Sequence, residues 1–497
     1  MNVATPSSEL VTLAIRIAFM GGMNGLLVAG CAVGPDYVQP KTEVPTHWTE
    51  APLADPQSMH LNDWWKTFND PTLNWLIKAA IQSNLDLKLA ESRVREARAN
   101  RDSSFTNLLP TFSARTDVMG RQNNANFGNA SVGGLSGSGG GINTSTQTIS
   151  IFQTGFDASW EVDIFGGIRR SVEAAEANLE AQEENRRNVL VSLLGEVARN
   201  YIELRSNQQL LAVTRDNLKS QENTLELVRL RYQAGLTSEL EVAQTEGLTA
   251  ETRSQAPVYE ALARQSIHAL GILLGQAPGK FAHRLQQEGP LPSSIDPAQA
   301  DLPSELLRRR PDIREAERKL AVSNANIGVA TAELYPKLKL NAFLGAQNTN
   351  LTALTPMGQS WSLLSSLSMP VFNWGRLQAN LRAKEALNEQ SFLTYQSTVL
   401  KAFKEVEDAL VAHAQEQIRI ASLEKAVEAQ RLALTLSIER YTKGLTAYLD
   451  VLTAERALFQ TQRELVDSQA KLSAQLVALY KALGGGWQTQ EMQSSVN

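Results

Sequence analysis

Two copies of one sequence pattern constrain the fold of this chain more than any other feature. The letters RYQAGLT at 231–237 match RYTKGLT at 440–446, an offset of 209 residues. Upstream the offset is 226, pairing Pro110 with Pro336. The difference, 226 − 209 = 17 residues, falls where 123–141 consists almost entirely of Asn, Gly, Ser and Ala. This repeat predicts one structural unit present twice, with a long loop in the first copy only.

Each copy contains a long segment without proline and with a seven-residue period, at 168–234 and 377–443. The repeating positions are Leu190, Val197, Leu204, Leu211, Leu218, Leu225 and Tyr232 in the first, and Val399, Val406, His413, Ile420, Val427, Leu434 and Tyr441 in the second. Such a period winds neighbouring helices into a coiled coil. Each long helix would span roughly 100 Å, and shorter helices predicted at 84–108 and 237–274 would together span roughly 95 Å. We therefore expect two short helices stacked end to end beside a long one.

Glycines follow both long helices. Gly235 and Gly444 stand where a helix C-terminal cap needs a residue with positive φ. Thr237 and Thr446 come two residues later, where a hydroxyl can cap the next helix. The sequence therefore predicts a tight helical hairpin at each glycine.

Alternating apolar residues replace the helical period between the shorter and the longer helices. Segments 338–346 and 361–369 alternate regularly, and 112–118 and 152–160 do so less strictly. Strands of about 10 residues with one apolar face are typical of outer-membrane β-barrels, although an ordinary half-buried hairpin has the same pattern. Four strands cannot close a barrel, because the known minimum is about 8. Two, three or four chains would supply about 8, 12 or 16 strands, and this arithmetic alone does not choose among them.

The single cysteine lies in an informative context. Cys31 follows the apolar run 25–30, and the letters LVAGC resemble a bacterial lipobox, whose cysteine becomes the lipidated N-terminus. The alternative is a free buried cysteine. Residues 1–30 are therefore predicted to form a lipoprotein signal peptide, and Ala32 after the cysteine favours sorting to the outer membrane. One cysteine also excludes a disulfide framework and a multi-cysteine metal site.

Composition and motifs exclude several other functions. Lys and Arg total 47 against 52 Asp and Glu, so no basic surplus indicates nucleic-acid binding. No apolar stretch of about 20 residues follows residue 30, so we expect no membrane-spanning helix in the mature chain. Neither a Gly-rich phosphate loop nor a His/Glu pair at metal-ligand spacing is present, and His413 is interpreted as a helix-interface residue. We expect no enzyme, no metal site and no cofactor apart from a lipid on Cys31.

Four motifs along the chain, one of them the repeated segment already described, belong together. They are GCAVGPDY at 30–37, PSELLRRRPDI at 303–313, the paired RYxxGLT segments, and YKALGGGW at 480–487. Together they resemble the TolC-type outer-membrane efflux channels, and among them the lipoprotein (OprM/NodT-like) branch of tripartite efflux systems. The resemblance covers essentially the whole mature chain.

The resemblance implies a fold, partners and a location. The fold is mainly α with a membrane β-barrel, in which a homotrimer forms a 12-stranded barrel in outer-membrane lipid and a 12-helix periplasmic coiled-coil tunnel. The implied function is a passive exit duct for small toxic compounds in a Gram-negative bacterium. A periplasmic adaptor (membrane fusion) protein and an inner-membrane proton-driven transporter are the implied partners.

These expectations divide the chain into six segments. Residues 1–30 are the signal peptide, 31–70 an N-terminal equatorial segment, 71–275 the first repeat, 276–302 an equatorial linker, 303–483 the second repeat and 484–497 a C-terminal equatorial tail. Strands are predicted at about 111–121, 147–160, 337–348 and 359–371, and the helices after the turns at 237–274 and 446–483.

The resemblance also implies where the channel closes. Family members carry acidic residues just after the Tyr-x-x-Gly turn, and the matching positions are Glu241 and Asp450. The turn tyrosine of the family gate corresponds to Tyr441, and in the first copy to Tyr232. Thr453 stands where members often carry a second aspartate, which implies a less acidic constriction. The alternative is that both acids only stabilise a first helical turn through the helix dipole.

Replacing Asp450 with alanine is expected to raise single-channel conductance, because the change removes a carboxylate from the implied constriction. Recordings in a planar bilayer check the prediction. A conductance equal to that of the unmodified protein would contradict it.

Two other classes of protein share part of the pattern. A periplasmic adaptor has long helical hairpins, but one hairpin is inserted into β-rich lipoyl-like modules. A non-conducting coiled-coil lipoprotein would lack the amphipathic strands. The cargo, whether a drug, a solvent, an aromatic acid or a metal ion, leaves no signature in this sequence.

Overall fold

The computed structural model of the protein describes residues 32–49, 61–123, 147–293, 303–354 and 358–488. Cys31 and nearly all of the loop predicted at 123–141 lie outside the described residues, as do parts of the three predicted equatorial segments.

The described chain is mainly α-helical, with four strands. In order, its elements are a 3₁₀ turn (Trp64–Phe68), α1 (Pro71–Ser83), α2 (Leu85–Thr106), β1 (Thr111–Asn123), β2 (Gln147–Val162), α3 (Gly167–Gln233), α4 (Glu239–Leu273), α5 (Ala282–Leu285), α6 (Pro303–Arg309), α7 (Pro311–Ala332), β3 (Lys337–Asn348), a 3₁₀ turn (Leu351–Ala353), β4 (Gln359–Ser368), α8 (Arg376–Thr442) and α9 (Tyr448–Ala482).

Element lengths confirm the internal duplication. Helices α2 and α7 each have 22 residues, α3 and α8 each 67, and α4 and α9 each 35. Helices α4 and α9 begin two residues later than predicted, at Glu239 and Tyr448. Strand β4 ends at Ser368 rather than at 371, and Pro370, just beyond it, has no N–H to donate to a ladder.

The chain forms two compact units. The first takes the residues up to Val38 together with Ala97–Asn178 and Leu320–Gln390, and the second takes the remainder. The boundary between them falls inside α2, α3, α7 and α8. Among the described helices, none is both long enough and apolar enough to span a membrane.

The first unit contains one antiparallel sheet in the order β1-β2-β3-β4. Its register pairs Phe156 with Leu344 and Leu344 with Trp361, which places the alternating apolar residues of all strands on one face. That face is largely exposed, through Phe112, Val118, Phe156, Leu344, Trp361, Leu363 and Leu367. The opposite face carries Arg115, Asp117 and Asp157. The sheet is therefore amphipathic, with its apolar side uncovered in a single chain.

One aromatic residue lies on the polar face of this sheet. Phe343 is buried there because its ring lies over Gly155 of β2 and Gly345 of β3, which are paired with each other. A Cβ added to Gly155 would lie 2.7 Å from the Phe343 ring, and one added to Gly345 would lie 2.8 Å from it. Glycine at both positions makes the room that the ring occupies.

The second unit contains the main hydrophobic core. Trp64 stacks on Tyr480 with ring centroids 5.3 Å apart, and Leu73 of α1 is fully buried. Asp70 caps α1 by accepting from the Thr72 N–H at 2.7 Å, and it also accepts from the Tyr201 hydroxyl at 2.7 Å. Burial, aided by this contact with Asp70, raises the pKa of Tyr201 to about 12. The cap therefore attaches α1 to the long helix α3.

The two seven-residue repeats behave differently. In α8 the repeat stays against the core as far as Tyr441, and His413 is buried among its neighbours, which lowers the pKa of its imidazole. In α3 the repeat is buried from Leu190 to Leu211, but Tyr232 is exposed, and Thr214, Gln221 and Val228 are buried instead. The buried line of α3 therefore shifts by three residues after Leu211 and then resumes the seven-residue spacing, as in a coiled-coil stammer.

Arg310, in the PSELLRRRPDI motif, connects three helices. Its buried guanidinium donates to Asp312 at 2.7 and 3.0 Å, to Glu405 of α8 at 2.8 Å and to the carbonyl of Ala482 in α9 at 2.9 Å. The motif thus ties the start of the second repeat to its long helix and to its last helix.

Candidate functional site

Both helical hairpins turn through the same backbone structure. Gly235 and Gly444 have φ of 68° and 70°. The N–H of Leu236 bonds to the Arg231 carbonyl at 2.8 Å, and that of Leu445 to the Arg440 carbonyl at 2.9 Å. These are Schellman caps, in which a glycine with positive φ lets the next N–H satisfy a carbonyl of the last turn. The two turns therefore present equivalent residues in equivalent positions.

The predicted caps at Thr237 and Thr446 are wrong. The N-cap positions belong to Ser238 and Ala447, and neither side chain makes a capping hydrogen bond. Thr237 and Thr446 instead donate their hydroxyl protons to the carboxylates of Glu241 and Asp450. A charged carboxylate accepts a stronger hydrogen bond than a neutral group does. Each carboxylate lies four residues after its threonine, in the first turn of the helix, where the hydroxyl can reach it.

Glu241 connects the two hairpins. Its Oε2 accepts a hydrogen bond from the Tyr441 hydroxyl at 2.7 Å, although the two residues are 200 positions apart in sequence. Thr237 donates to the same oxygen. Charged acceptors make the stronger hydrogen bonds of proteins, so this contact is a latch between the first turn of α4 and the last turn of α8.

Arg231 and Tyr448 hold the tyrosine of this latch. The Arg231 guanidinium lies 4.7 Å from the centre of the Tyr441 ring and donates to the Thr442 carbonyl at 3.2 Å. Tyr448 packs edge-on against the same ring at 5.6 Å. Burial, and then the bond to Glu241, raise the pKa of Tyr441, so it remains a donor at neutral pH. The latch is therefore a small cluster of side chains rather than a single pair.

The other predicted gate residues lie outside this latch. Asp450 is exposed and pairs with Thr446 of its own turn. Thr453 donates back to the Leu449 carbonyl at 2.8 Å, within its own helix. Tyr232 is exposed. Both acids stand in first helical turns, as the dipole interpretation also requires. The structure thus brings together Glu241 and Tyr441. It leaves Asp450, Thr453 and Tyr232 exposed near the two turns.

Sequence reasoning missed Arg231, Tyr448 and a second acid, Glu455. Arg231 belongs to the repeated RYxxGLT motif, so its recurrence as Arg440 was an available signal. The sequence signal for Glu455 was weaker, because only its match to Glu246 at the 209-residue offset points to it. Its carboxylate is buried between helices and accepts from the Thr224 hydroxyl at 2.8 Å. Burial raises the pKa of Glu455, and the hydrogen bond from Thr224 partly offsets the rise.

Replacing Glu455 with glutamine is expected to stabilise the hairpins at neutral pH. A carboxyl whose pKa is raised in the folded state favours folding at low pH, and this contribution is lost as pH rises from the unfolded value near 4.5 through the folded one. Glutamine removes the buried charge and keeps the acceptor for Thr224. We therefore expect Glu455→Gln to have a higher Tm than the unmodified protein at about pH 8, and its Tm to increase less when the pH is lowered.

The matched control is Glu246→Gln, at the equivalent position of the first repeat. Glu246 is exposed and pairs with Arg229 at 2.6 Å, so its replacement should leave the pH dependence of Tm unchanged. Equal pH profiles for the unmodified protein and Glu455→Gln would show that the buried carboxyl does not control hairpin stability.

These observations together define a class of protein. A duplicated helix-strand-strand-helix chain, with an amphipathic sheet and latched helical hairpins, has the architecture of an outer-membrane channel with a helical extension. The chain belongs to the outer membrane efflux protein family, whose family model matches residues 76–276 and 302–485. It is therefore an outer-membrane efflux channel protein that extends into the periplasm.

Individual relatives agree with this assignment. The solvent efflux pump outer membrane protein SrpC of Pseudomonas putida is 33% identical over 476 residues, covering 94% of this chain and 97% of the relative. Nodulation protein T of Rhizobium leguminosarum bv. viciae is 32% identical over 469 residues, covering 94% and 93%. The solved structure of the outer-membrane channel OprN matches with a TM-score of 0.83 at 33% identity, covering 92% of this chain and 100% of that one.

Proposed function

We propose that three copies of this chain form the exit duct of a tripartite efflux pump. Four strands from each copy would close a barrel of about 12 strands. The observation that carries the proposal is the sheet: in the described chain β1 and β4 have no further partner strand, and the apolar face is exposed. Open sheet edges are prohibitive in lipid, so a sheet of this kind needs neighbouring copies at both edges.

Exposed apolar residues on α8 support contact between copies. Leu393, Leu400, Val411, Ile418 and Leu432 are exposed along this helix, mostly at multiples of seven residues. A stripe with this spacing is what a coiled coil buries against a neighbouring helix. Four long or stacked helical segments per copy would give a 12-helix tunnel continuous with the barrel.

The duct is proposed to be passive and gated. The latch between Glu241 and Tyr441 would hold the helical hairpins closed, with Asp450 and Thr453 facing the constriction and Tyr232 on the equivalent first-copy turn. No covalent chemistry is proposed, and energy would come from an inner-membrane proton-driven transporter through a periplasmic adaptor. Relatives are named for solvent efflux and pyoverdine export, which supports small organic compounds as the cargo class.

A lipid on Cys31 is proposed to anchor the N-terminus. The residues that follow it are held firmly in the first unit: the Val33 N–H bonds to the Phe165 carbonyl at 3.0 Å, and Arg170 donates to the Val33 carbonyl at 3.3 Å and to Asp36 at 2.6 Å. An anchor attached to this segment would be fixed relative to the end of strand β2.

The test begins with outer-membrane fractions. The protein should migrate as a heat-sensitive trimer in unheated gels, and should conduct ions in a planar bilayer. Deleting its gene should lower resistance to a subset of a panel of solvents, aromatic acids and antibiotics. A trimer that does not conduct would support a structural lipoprotein instead, and a monomer would contradict the proposed barrel.

A further inference from the structure

The two strand-to-helix junctions of the repeat, related by the 209 offset, are covered differently. In the first copy, VDIFG at 162–166 links β2 to α3, and in the second, VFNWG at 371–375 links β4 to α8. Phe165 of the first junction stacks on Tyr335 at 4.7 Å, and its carbonyl accepts from the Val33 N–H. The segment after Cys31 therefore covers the first junction.

The second junction is bare in the described chain. A Cβ added to Gly166 would lie 2.6 Å from the Ala32 Cα, whereas one added to the equivalent Gly375 meets no described atom within 4 Å. Both glycines have the same backbone conformation, with φ of 77° and 78°. The space that the N-terminal segment fills at one junction is therefore open at the other.

Apolar side chains project from this bare junction. Val371, Phe372 and Trp374 are 91%, 74% and 89% exposed, and the rings of Phe372 and Trp374 pack together at 4.8 Å. Trp374 also has φ of 55°, a conformation that costs a bulky residue energy. A strained, exposed aromatic pair on a protein surface calls for a partner that it contacts.

The position of the pair identifies that partner. It continues the exposed apolar face of β4, which carries Trp361 and Leu367, through the exposed Met369 and Val371 beyond the end of the strand. The ten residue-to-residue steps from Trp361 to Val371 reach up to roughly 33 Å, which becomes about 25 Å at the tilt of barrel strands. That is the height of the apolar band in outer-membrane barrels, whose two rims carry aromatic residues.

We propose that Phe372 and Trp374 insert into the headgroup region of the periplasmic leaflet and hold the second junction at the membrane surface. Tyr and Trp favour this region because one side of the ring is apolar and the other polar. The two junctions of each chain are thus held by different means, the first by the N-terminal segment and the second by lipid contact. The inference rests on the proposed membrane-spanning sheet, but not on lipidation of Cys31.

Tryptophan fluorescence in reconstituted vesicles tests this proposal. The difference in emission between the unmodified protein and Trp374→Phe isolates Trp374. Phosphatidylcholine brominated near the headgroup should quench this difference more than phosphatidylcholine brominated near the chain end. Quenching by aqueous acrylamide instead would place Trp374 in water, and resistance to both quenchers would place it under a second copy of the chain. Either result would overturn the proposal.

Two further variants make the outcome specific. Phe165→Trp in the Trp374→Phe background places the indole at the covered junction, where brominated lipid should quench it weakly. The difference in emission between the unmodified protein and Trp361→Phe isolates Trp361, which lies on the apolar face of β4. If Trp361 is quenched by lipid but Trp374 is not, the membrane-spanning sheet stands and the lipid-held junction is rejected. If neither is quenched, the proposed barrel fails as well.

Discussion

Channels carrying Tyr441→Phe are expected to open at least tenfold more often than the unmodified protein. The change removes one hydroxyl, and with it the bond from Tyr441 to Glu241, while the ring keeps its packing on Arg231 and Tyr448. A hydrogen bond to a charged group contributes about 1.5–3 kcal/mol, which corresponds to roughly a 10- to 150-fold shift of a two-state equilibrium in each protomer. Open probability in planar bilayers, recorded at one salt concentration, measures the effect.

The repeat supplies a matched control for this experiment. Tyr232→Phe makes the same chemical change at the equivalent turn, where the tyrosine is exposed and Glu241 is not its partner. We expect open probability close to that of the unmodified protein. The latch is rejected if the two variants behave alike. A third variant, Glu241→Gln, should fall between them, since an amide still accepts from the hydroxyl but without charge.

Replacing Arg310 with methionine is expected to destabilise the second unit by about 1–3 kcal/mol, the usual cost of leaving a buried hydrogen-bond acceptor, here the Ala482 carbonyl, without its donor. The guanidinium satisfies Asp312, Glu405 and the carbonyl end of α9 together, and methionine satisfies none of them. Because a protein of ordinary stability has about 5–15 kcal/mol in total, this is a large share of it, and less folded protein should reach the outer membrane. Trimer yield and Tm of the extracted protein provide the measurement.

Two control variants, one at a nearby arginine and one that keeps the charge of Arg310, make this result interpretable. Arg308→Ala changes an exposed arginine of the same motif and should leave yield and Tm nearly unchanged. Arg310→Lys keeps the charge but cannot make the forked contacts, so it should recover only part of the loss. Normal yield and Tm for Arg310→Met would mean that the helices are held together without this residue.

Local periodicity predicted the elements of this fold well, because it depends on residues close in sequence. The glycines at 235 and 444 and the alternating strands follow from backbone conformation and from a two-residue period. The 17 extra residues of the first copy followed from counting residues between matched positions. These features need no knowledge of which segments meet in space.

Contacts between distant segments were not predictable in the same way. The bond between Tyr441 and Glu241 and the buried pairing of Glu455 with Thr224 depend on the rotation of each helix about its axis. The seven-residue repeat of α3 leaves the core after Leu211, so extrapolating it misplaces every later side chain. The capping threonines failed for a related reason, since their hydroxyls had a carboxylate within reach.

Equal element lengths restrict how this chain can change in evolution or in the laboratory. Helices α3 and α8 have 67 residues each, and the latch joins Tyr441 in the last turn of α8 to Glu241 in the first turn of α4, which follows α3. One residue inserted into α8 alone would rotate Tyr441 by about 100° and move it about 1.5 Å, which removes its hydroxyl from Glu241. Seven residues inserted into both helices would preserve rotation and add about 10 Å to each. Viable length variants should therefore arise in paired, heptad-sized steps.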